Sequence, residues 1–488
     1  MNNLNFVPFI EEDSMKNHAA EEATLREIFD LMQDWIDESR NPETPVINYF
    51  PPNKLSEKLD FGLRKEGGGN EHMLEEVKHY LTYAVRTANP AYLNQLFGGF
   101  GFPGFVGELI TALTNTSMYT YEVAPVATLM EKALIEKMIS YTGWGQGEGI
   151  FTAGGSQSNL YAMLLARNAT FPQVKNEGIS ALPKLAVLVS ERSHFSLLKA
   201  ANTIGIGHQG VVKVKVDGRG RMRGSAVAAA LEETLQKGMV PFMVCSTAGT
   251  TETGSFDAID EIADVAEKHE LWHHVDGSWG GSLILSEKYQ SWFKGLDRAN
   301  SFTWNPHKLM SIPLTCSAFM AKDSGILKRE IQSNDADYIY HDYDNSDYDT
   351  GPSSLSCGRR VDSLKLWLSW NYWGEEGYRE RVEKCMELAD YATKKVEESD
   401  QLELMFTTES LNVNFRFIVP AGVDADDFNK RLRYDLVQTG KAMVNFCTLK
   451  SGLSIRLVLL NPDLTLADID RFLLRFISAG QALLQESV

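Results

Sequence analysis

Between residues 21 and 40, apolar side chains recur at Leu25, Ile28, Leu31, Met32, Trp35 and Ile36, a spacing that puts them on one helical stripe. Prolines and glycines then break the pattern in "NYFPPNKLSEKLDFGLRKEGGGN", which reads as a connector, so residues 1–87 form an arm expected to pack on something larger. From 88 to 365, short apolar runs alternate with helical patterns. Strands are predicted at 184–190 ("KLAVLVS"), 211–216 ("VVKVKV"), 241–249 ("PFMVCSTAG") and 271–278 ("LWHHVDGS"), separated by helices such as "SAVAAALEETLQKG" and "AIDEIADVAEKHE". Alternation with runs this apolar predicts an α/β domain whose mostly parallel sheet is covered on both faces. Ligand sites in such sheets gather at the carboxyl ends of the strands. The last part, 366–488, differs: Leu411, Val413, Phe415 and Phe417 alternate with polar neighbours, as in a strand with one wet face. A helix, the strands "KAMVNFCT" and "LSIRLVLL", and a closing helix from Leu466 complete a small α+β domain.

Composition narrows the partners. The net charge of −18 argues against nucleic acid, which needs a basic surface, but leaves a small acidic ligand open, since one local cation suffices. Five scattered cysteines without a CxxC pattern fit neither a disulfide framework nor a zinc site, and suit a reducing compartment. No apolar run approaches the ~20 residues of a membrane span. The N-terminus carries no signal-peptide pattern, so a cytoplasmic location is expected.

"TWNPHKLM", 303–310, sets Lys308 among Trp304, Leu309, Met310 and Ile312, where an ammonium is costly to bury. A lysine there either snorkels to water or serves as a desolvated nucleophile. Four other features bear on the choice. "FTAGGSQSN", 151–159, is a Gly-rich turn opening a helix, with the free N–H groups of a phosphate cradle. His194 follows the strand 184–190, where an imidazole can stack on a ring or be merely structural. "STAGTTETG", 246–254, is a hydroxyl-rich strand end, and "HVDGSWGG" sets Asp276 at another, either as a turn cap or as the partner of a pyridinium nitrogen. Each alone is compatible with a structural role. Their order, ending in a lysine 32 residues after the aspartate, meets the needs of pyridoxal 5′-phosphate (PLP): a phosphate anchor, a stacking partner, a carboxylate and an amine.

With "NQLFGG", "MYTYEVAPV", "GGSQSN", "TAGTT", "HVDGSWGG", "TWNPHKLM", "YDTG", "CGRRVDSLKLWL" and "RLVLLNP" in order, the chain from about residue 90 resembles the group II PLP-dependent decarboxylases of fold type I. The branch is that of glutamate and cysteine sulfinate decarboxylases. The resemblance implies an aspartate aminotransferase-like fold, with a mostly parallel seven-stranded sheet and a small C-terminal domain. It implies that Lys308 binds the cofactor, Asp276 keeps its pyridinium protonated and His194 stacks on the ring. Gly155, Ser156 and Gln157 would hold the phosphate, with Thr247 and Asn305 or His307 completing the shell. A loop tyrosine returns the proton to Cα after CO2 leaves; Tyr338 matches it, with Tyr340 as the alternative. The sites of the family lie between two chains, so a homodimer is implied, with Ser354 approaching from the partner.

The resemblance also matches Arg456 to the group that holds a distal acid, and Gln95 and Asn159 to substrate contacts. Phe97 stands where glutamate-specific relatives have a small serine, and its ring favours a shorter acid: cysteine sulfinate or aspartate, giving hypotaurine or β-alanine. Glutamate, giving GABA, remains an alternative, while the dication of diaminobutyrate fits badly beside Arg456. An aminotransferase would need the proton returned to the cofactor instead. A cofactor-bound but silent binding protein is the reading outside enzymes, and the intact Lys308, Asp276 and His194 set stands against it.

Overall fold

The computed structural model describes residues 9–332, 339–340, 344–407 and 409–486. Contacts divide the chain into two units: one joins the chain through Asn94 to Phe417–Phe446 and the part from Thr465 on, and the other comprises Gln95–Arg416 and Cys447–Leu464.

In the first unit the N-terminal arm is stitched to its partners by backbone bonds. The Val46 N–H donates to the Gly440 carbonyl at 2.9 Å, Arg475 reaches the Pro42 carbonyl at 2.9 Å, and Tyr92–Leu93 pairs in parallel with Met443–Val444. The striped helix is Phe9–Arg40, and its Trp35 indole donates to the Leu81 carbonyl. The connector differs from expectation in holding a short helix, Pro52–Lys58. Its proline occupies the first helical turn, where a fixed φ assists and the missing N–H costs nothing. Among the described residues no helix is long and apolar enough to cross a membrane.

The second unit is built on a seven-stranded sheet. Its strands are β1 (Glu148–Thr152), β2 (Leu185–Ser190), β3 (Val211–Val214), β4 (Val240–Thr247), β5 (Trp272–Gly277), β6 (Ser301–Trp304) and β7 (Ser317–Ala321). They lie in the order β1-β7-β6-β5-β4-β2-β3, parallel from β6 through β3, with β7 antiparallel to both its neighbours. Both faces are covered, as the continuous apolar runs require. Val187 and Val189 pack with Tyr161 and Leu165 of the helix Gly155–Thr170, while the intervening Leu188 packs with Val227, Leu231 and Ile262 on the other face. Each such side chain contributes about 1.5–3 kcal/mol on leaving water. The strand expected over 211–216 stops at Val214, because the Asp217 carboxylate accepts the N–H groups of Arg219 and Arg221 and turns the chain.

Parallel register brings chemistry to one edge. Thr247 lies opposite Asp276, and Asp276 opposite Thr303, so β4, β5 and β6 end side by side. The segment after β6 carries Asn305, His307 and Lys308 over those ends. β8 (Asn412–Phe417) and β9 (Gly452–Val458) pair antiparallel, with Asn414 opposite Arg456.

Candidate functional site

The strand ends floor a cavity of ≈ 300 Å³, lined by Gly155, Ser156, His194, Thr247, Asp276, Ser278, Asn305, His307 and Lys308 among others. Asp276 is buried and accepts from the Asn159 amide at 2.8 Å and the Ser278 N–H at 3.0 Å. Burial alone would raise its carboxyl, but hydrogen bonding by the Ser278 and Asn159 side chains and the neighbouring His274 and Lys308 bring it below its ordinary range, so it is ionised. Asn159 is itself fully engaged. Its NH2 also donates to Ser196 at 2.9 Å, and its oxygen lies 3.1 Å from His274 Nε2. The His274 Nδ1 is 2.8 Å from Ser301 Oγ, which accepts from the Trp272 indole. Because Ser301 uses an acceptor site for Trp272, its hydroxyl proton is free for Nδ1, leaving Nε2 as the donor to Asn159. Burial pulls His274 down to about 4, consistent with that neutral form.

Across the cavity the half-buried Lys308 is desolvated, which pulls its amine down to about 8; Asp276 opposes this shift and Arg456 adds to it. An amine near 8 is partly neutral at physiological pH and able to attack a carbonyl carbon. Burial likewise lowers His194, whose Nδ1 lies 2.8 Å from Ser196 Oγ. Asn159 therefore reaches both Asp276 directly and His194 through Ser196. His307 is held through Nδ1 by the Cys316 backbone and pulled down to about 3, first by burial and then by the adjacent Lys308 charge. Asn305 accepts from the Ser317 hydroxyl at 2.5 Å.

The cavity suits a phosphorylated pyridine aldehyde. Thr247 Oγ1 is buried without a hydrogen-bond partner among the described residues, an arrangement that a polar ligand would satisfy. A Cβ on Gly155 would stand 2.3 Å from Ser278 Oγ and 2.8 Å from Asn305 Nδ2, so only glycine keeps the turn open there. The carboxylate of Asp276 and the lowered amine of Lys308 are groups that would suit a ring nitrogen and a carbonyl carbon.

The other sequence-predicted residues lie elsewhere. Gln157 does not line the cavity: its Oε1 accepts from the Ala153 N–H and its amide donates to Ser356 at 3.2 Å, bracing the turn. Ser354 donates to the Ser356 carbonyl, in a segment tied to the chain's own Tyr161 hydroxyl through the Leu355 N–H. Gln95 is exposed and Phe97 half-buried, and neither lines the cavity, nor does Asn159. Arg456 is buried on β9, where its Nη1 donates to the carbonyl of Thr251, a cavity-lining residue, at 2.9 Å. Tyr338 lies outside the described residues; Tyr340 is half-buried with its phenol oxygen against Gly351. Sequence reasoning missed Ser278 and His274. A usable signal was present, since His274 and Asp276 are two apart on one strand and point to the same face.

The pyridoxal-dependent decarboxylase conserved domain matches residues 52–418. Acidic amino acid decarboxylase GADL1 of Bos taurus is 39% identical over 80% of this chain and 75% of its own length, and cysteine sulfinic acid decarboxylase of Rattus norvegicus is 37% identical over 95% and 97%. The crystal structure of mouse CSAD superposes with a TM-score of 0.91 at 37% identity, covering 95% of this chain and 99% of that one. A tryptamine- and PLP-bound TDC of Oryza sativa, 22% identical with a TM-score of 0.86, shares the fold. This chain belongs to the pyridoxal-dependent decarboxylase family and is a PLP-dependent amino-acid decarboxylase.

Proposed function

We propose that the enzyme removes the α-carboxylate from a short acidic L-amino acid, cysteine sulfinate or aspartate. The observation that carries this is Arg456: a buried guanidinium beside the cavity-lining Thr251, close enough to depress the Lys308 amine. A buried cation within reach of the reacting centre is matched by an anionic side chain on the substrate. Relatives that are 37–39% identical are named for acidic amino acids and cysteine sulfinate, which supports the same class here.

When bound, PLP supplies an electron sink that weakens the bonds at Cα. The chain's own residues do the rest. Lys308 would provide the amine that holds the cofactor. Asp276, kept ionised by Asn159 and Ser278, holds a proton at the ring nitrogen. Neutral His194 offers its face to the ring, and Thr247, Ser278, Asn305 and His307 line the pocket without adding full charges. Gly155 and Ser156, braced by Gln157, offer N–H groups to the phosphate. Tyr338 returns the proton to Cα, with Tyr340 as the substitute donor. A homodimer, with Ser354 near the partner's site, is supported by the exposed Phe102, Ile110, Leu113, Val126 and Leu129 on the helices Phe102–Thr114 and Pro125–Ile139. The free cysteines support a cytoplasmic setting.

The test is to incubate the holoenzyme separately with cysteine sulfinate, aspartate, glutamate and diaminobutyrate and to quantify each amine. Hypotaurine or β-alanine should dominate. Dominant GABA would remove the volume argument from Phe97, and dominant diaminopropane would remove Arg456 from its role.

A further inference from the structure

Behind one wall of the cavity lies a buried lysine. Lys365, on the helix Asp362–Glu397, keeps 1% of its side-chain exposure. Its root is fixed by the helix Phe102–Thr114, which comes so close that a Cβ on Gly107 would stand 2.7 Å from the Lys365 Cα. Burial would lower its amine, but the carboxylates of Asp362 and Glu108, at 2.8 and 3.0 Å from Nζ, hold it above its ordinary range, so it is charged. Arg360 pairs with the other oxygen of Glu108, so two cations face two carboxylates and the cluster balances.

Charge balance does not account for what else the ammonium touches. Nζ donates to the Thr315 carbonyl at 2.6 Å and to the Pro313 carbonyl at 3.3 Å. Leu314 and Thr315 line the cavity, in a stretch, 311–316, that follows Lys308 and is neither helix nor strand. The stretch opens on Ser311 at φ 56°, a left-handed conformation that a residue other than glycine keeps only where its surroundings enforce it. It closes on Cys316, whose backbone holds His307 at Nδ1. We propose that Lys365 is a positioning residue for the cofactor site: its ammonium fixes the carbonyls of Pro313 and Thr315 and so sets the wall made by Leu314, Thr315 and His307. Stability gives little reason for a cation here, because exchanging buried ion pairs for apolar side chains of similar volume is often neutral or stabilising. What an apolar side chain cannot supply is a donor for the carbonyls of an irregular, buried stretch. The inference rests on the reading that this cavity holds PLP through Lys308.

The experiment compares the parent with Lys365→Met and with the double variant Lys365→Met, Asp362→Asn. The second change removes the carboxylate that the first would strand, so the double variant keeps the cluster balanced even where Lys365→Met alone fails to fold. Four quantities are read: the urea midpoint without added PLP, the PLP Kd by fluorescence titration, the circular-dichroism band per bound cofactor, and kcat with KM for the best acidic substrate. The double variant should recover the urea midpoint of the parent, yet bind PLP about tenfold more weakly with a diminished band. Its kcat should fall by about 10–100-fold with KM within about threefold, as expected when a wall beside the reacting centre shifts. Parent-like PLP affinity and band in the double variant would overturn the proposal, leaving Lys365 a charge balance only, as would parent-like values in Lys365→Met. Borohydride reduction of the PLP-loaded parent should leave the cofactor on the peptide that contains Lys308. A label elsewhere would overturn the reading of the cavity and the proposal with it, whereas a parent-like double variant with the label on Lys308 overturns the proposal alone.

Discussion

The floor of the cavity and its rim are held in different ways. On the floor, Asp276, Asn159, His274 and Ser301 form an unbroken series of hydrogen bonds between 2.8 and 3.1 Å, each member buried and rooted in a strand or helix. At the rim, Arg456 donates to the Thr251 carbonyl, while Gln95, exposed, and Phe97, half-buried, stand off the cavity lining. On the reading proposed above, the floor serves the cofactor, and its members are held by bonds between separate elements of the sheet and the helix Gly155–Thr170. On the same reading the rim would select among substrates, since selection by volume or one charge needs only a few side chains on separate segments.

Substitutions on the floor should therefore cost more than those at the rim. Lys308→Ala removes the amine and should lower kcat by on the order of 10⁴-fold, with no compensating change in KM, as measured by amine production. Asp276→Asn keeps the shape but loses the charge, and a loss on the order of 10²–10³-fold is expected. Asn159→Ala should leave Asp276 with the Ser278 N–H alone and weaken PLP binding about tenfold, read by fluorescence titration of the apoenzyme. Phe97, off the cavity lining, has the smallest expected effect: by the resemblance, Phe97→Ser should shift the ratio of kcat/KM for glutamate over cysteine sulfinate upward by at most about tenfold, the order of one methylene's worth of volume. An equal loss on both acids would show that Phe97 acts by packing alone.

The buried imidazoles of the second unit add a pH signature. His273 and His307 sit at about 3 and His274 at about 4, each pulled down from 6.5 mainly by burial. A depressed base binds fewer protons folded than unfolded, so its stabilising effect is full above 6.5 and is lost as pH falls toward the folded value. Asp257, pushed up to about 7 by burial, works in the opposite sense between pH 7 and 4. Each imidazole costs about 2 kcal/mol at pH 5, and Asp257 returns about 2–3 kcal/mol, so three imidazoles outweigh one carboxyl. The urea midpoint should fall between pH 7.5 and 5.

Much of the floor is legible in the sequence because strand ends are marked by local composition. Apolar runs locate β2, β4 and β5, and the residues that follow each run are those that line the cavity. The helix covering the sheet is announced by the glycines at its start. What is hidden is the role of Asn159, because whether an amide faces ligand or protein depends on groups 37 and 115–117 residues away. The rim is hidden for the same reason in stronger form. Arg456 meets the Thr251 carbonyl across some two hundred residues, and no periodicity announces that contact.

One ratio tests the central claim most directly: kcat/KM for aspartate against asparagine, its neutral isostere, measured on the holoenzyme and on Arg456→Met. With a buried guanidinium as the anchor, the parent should prefer aspartate by about 100-fold or more, since a site built for a charged group rejects the analogue that lacks it. In Arg456→Met the preference should collapse toward unity. A parent that handles both amino acids equally, or a variant that keeps the preference, would contradict the account.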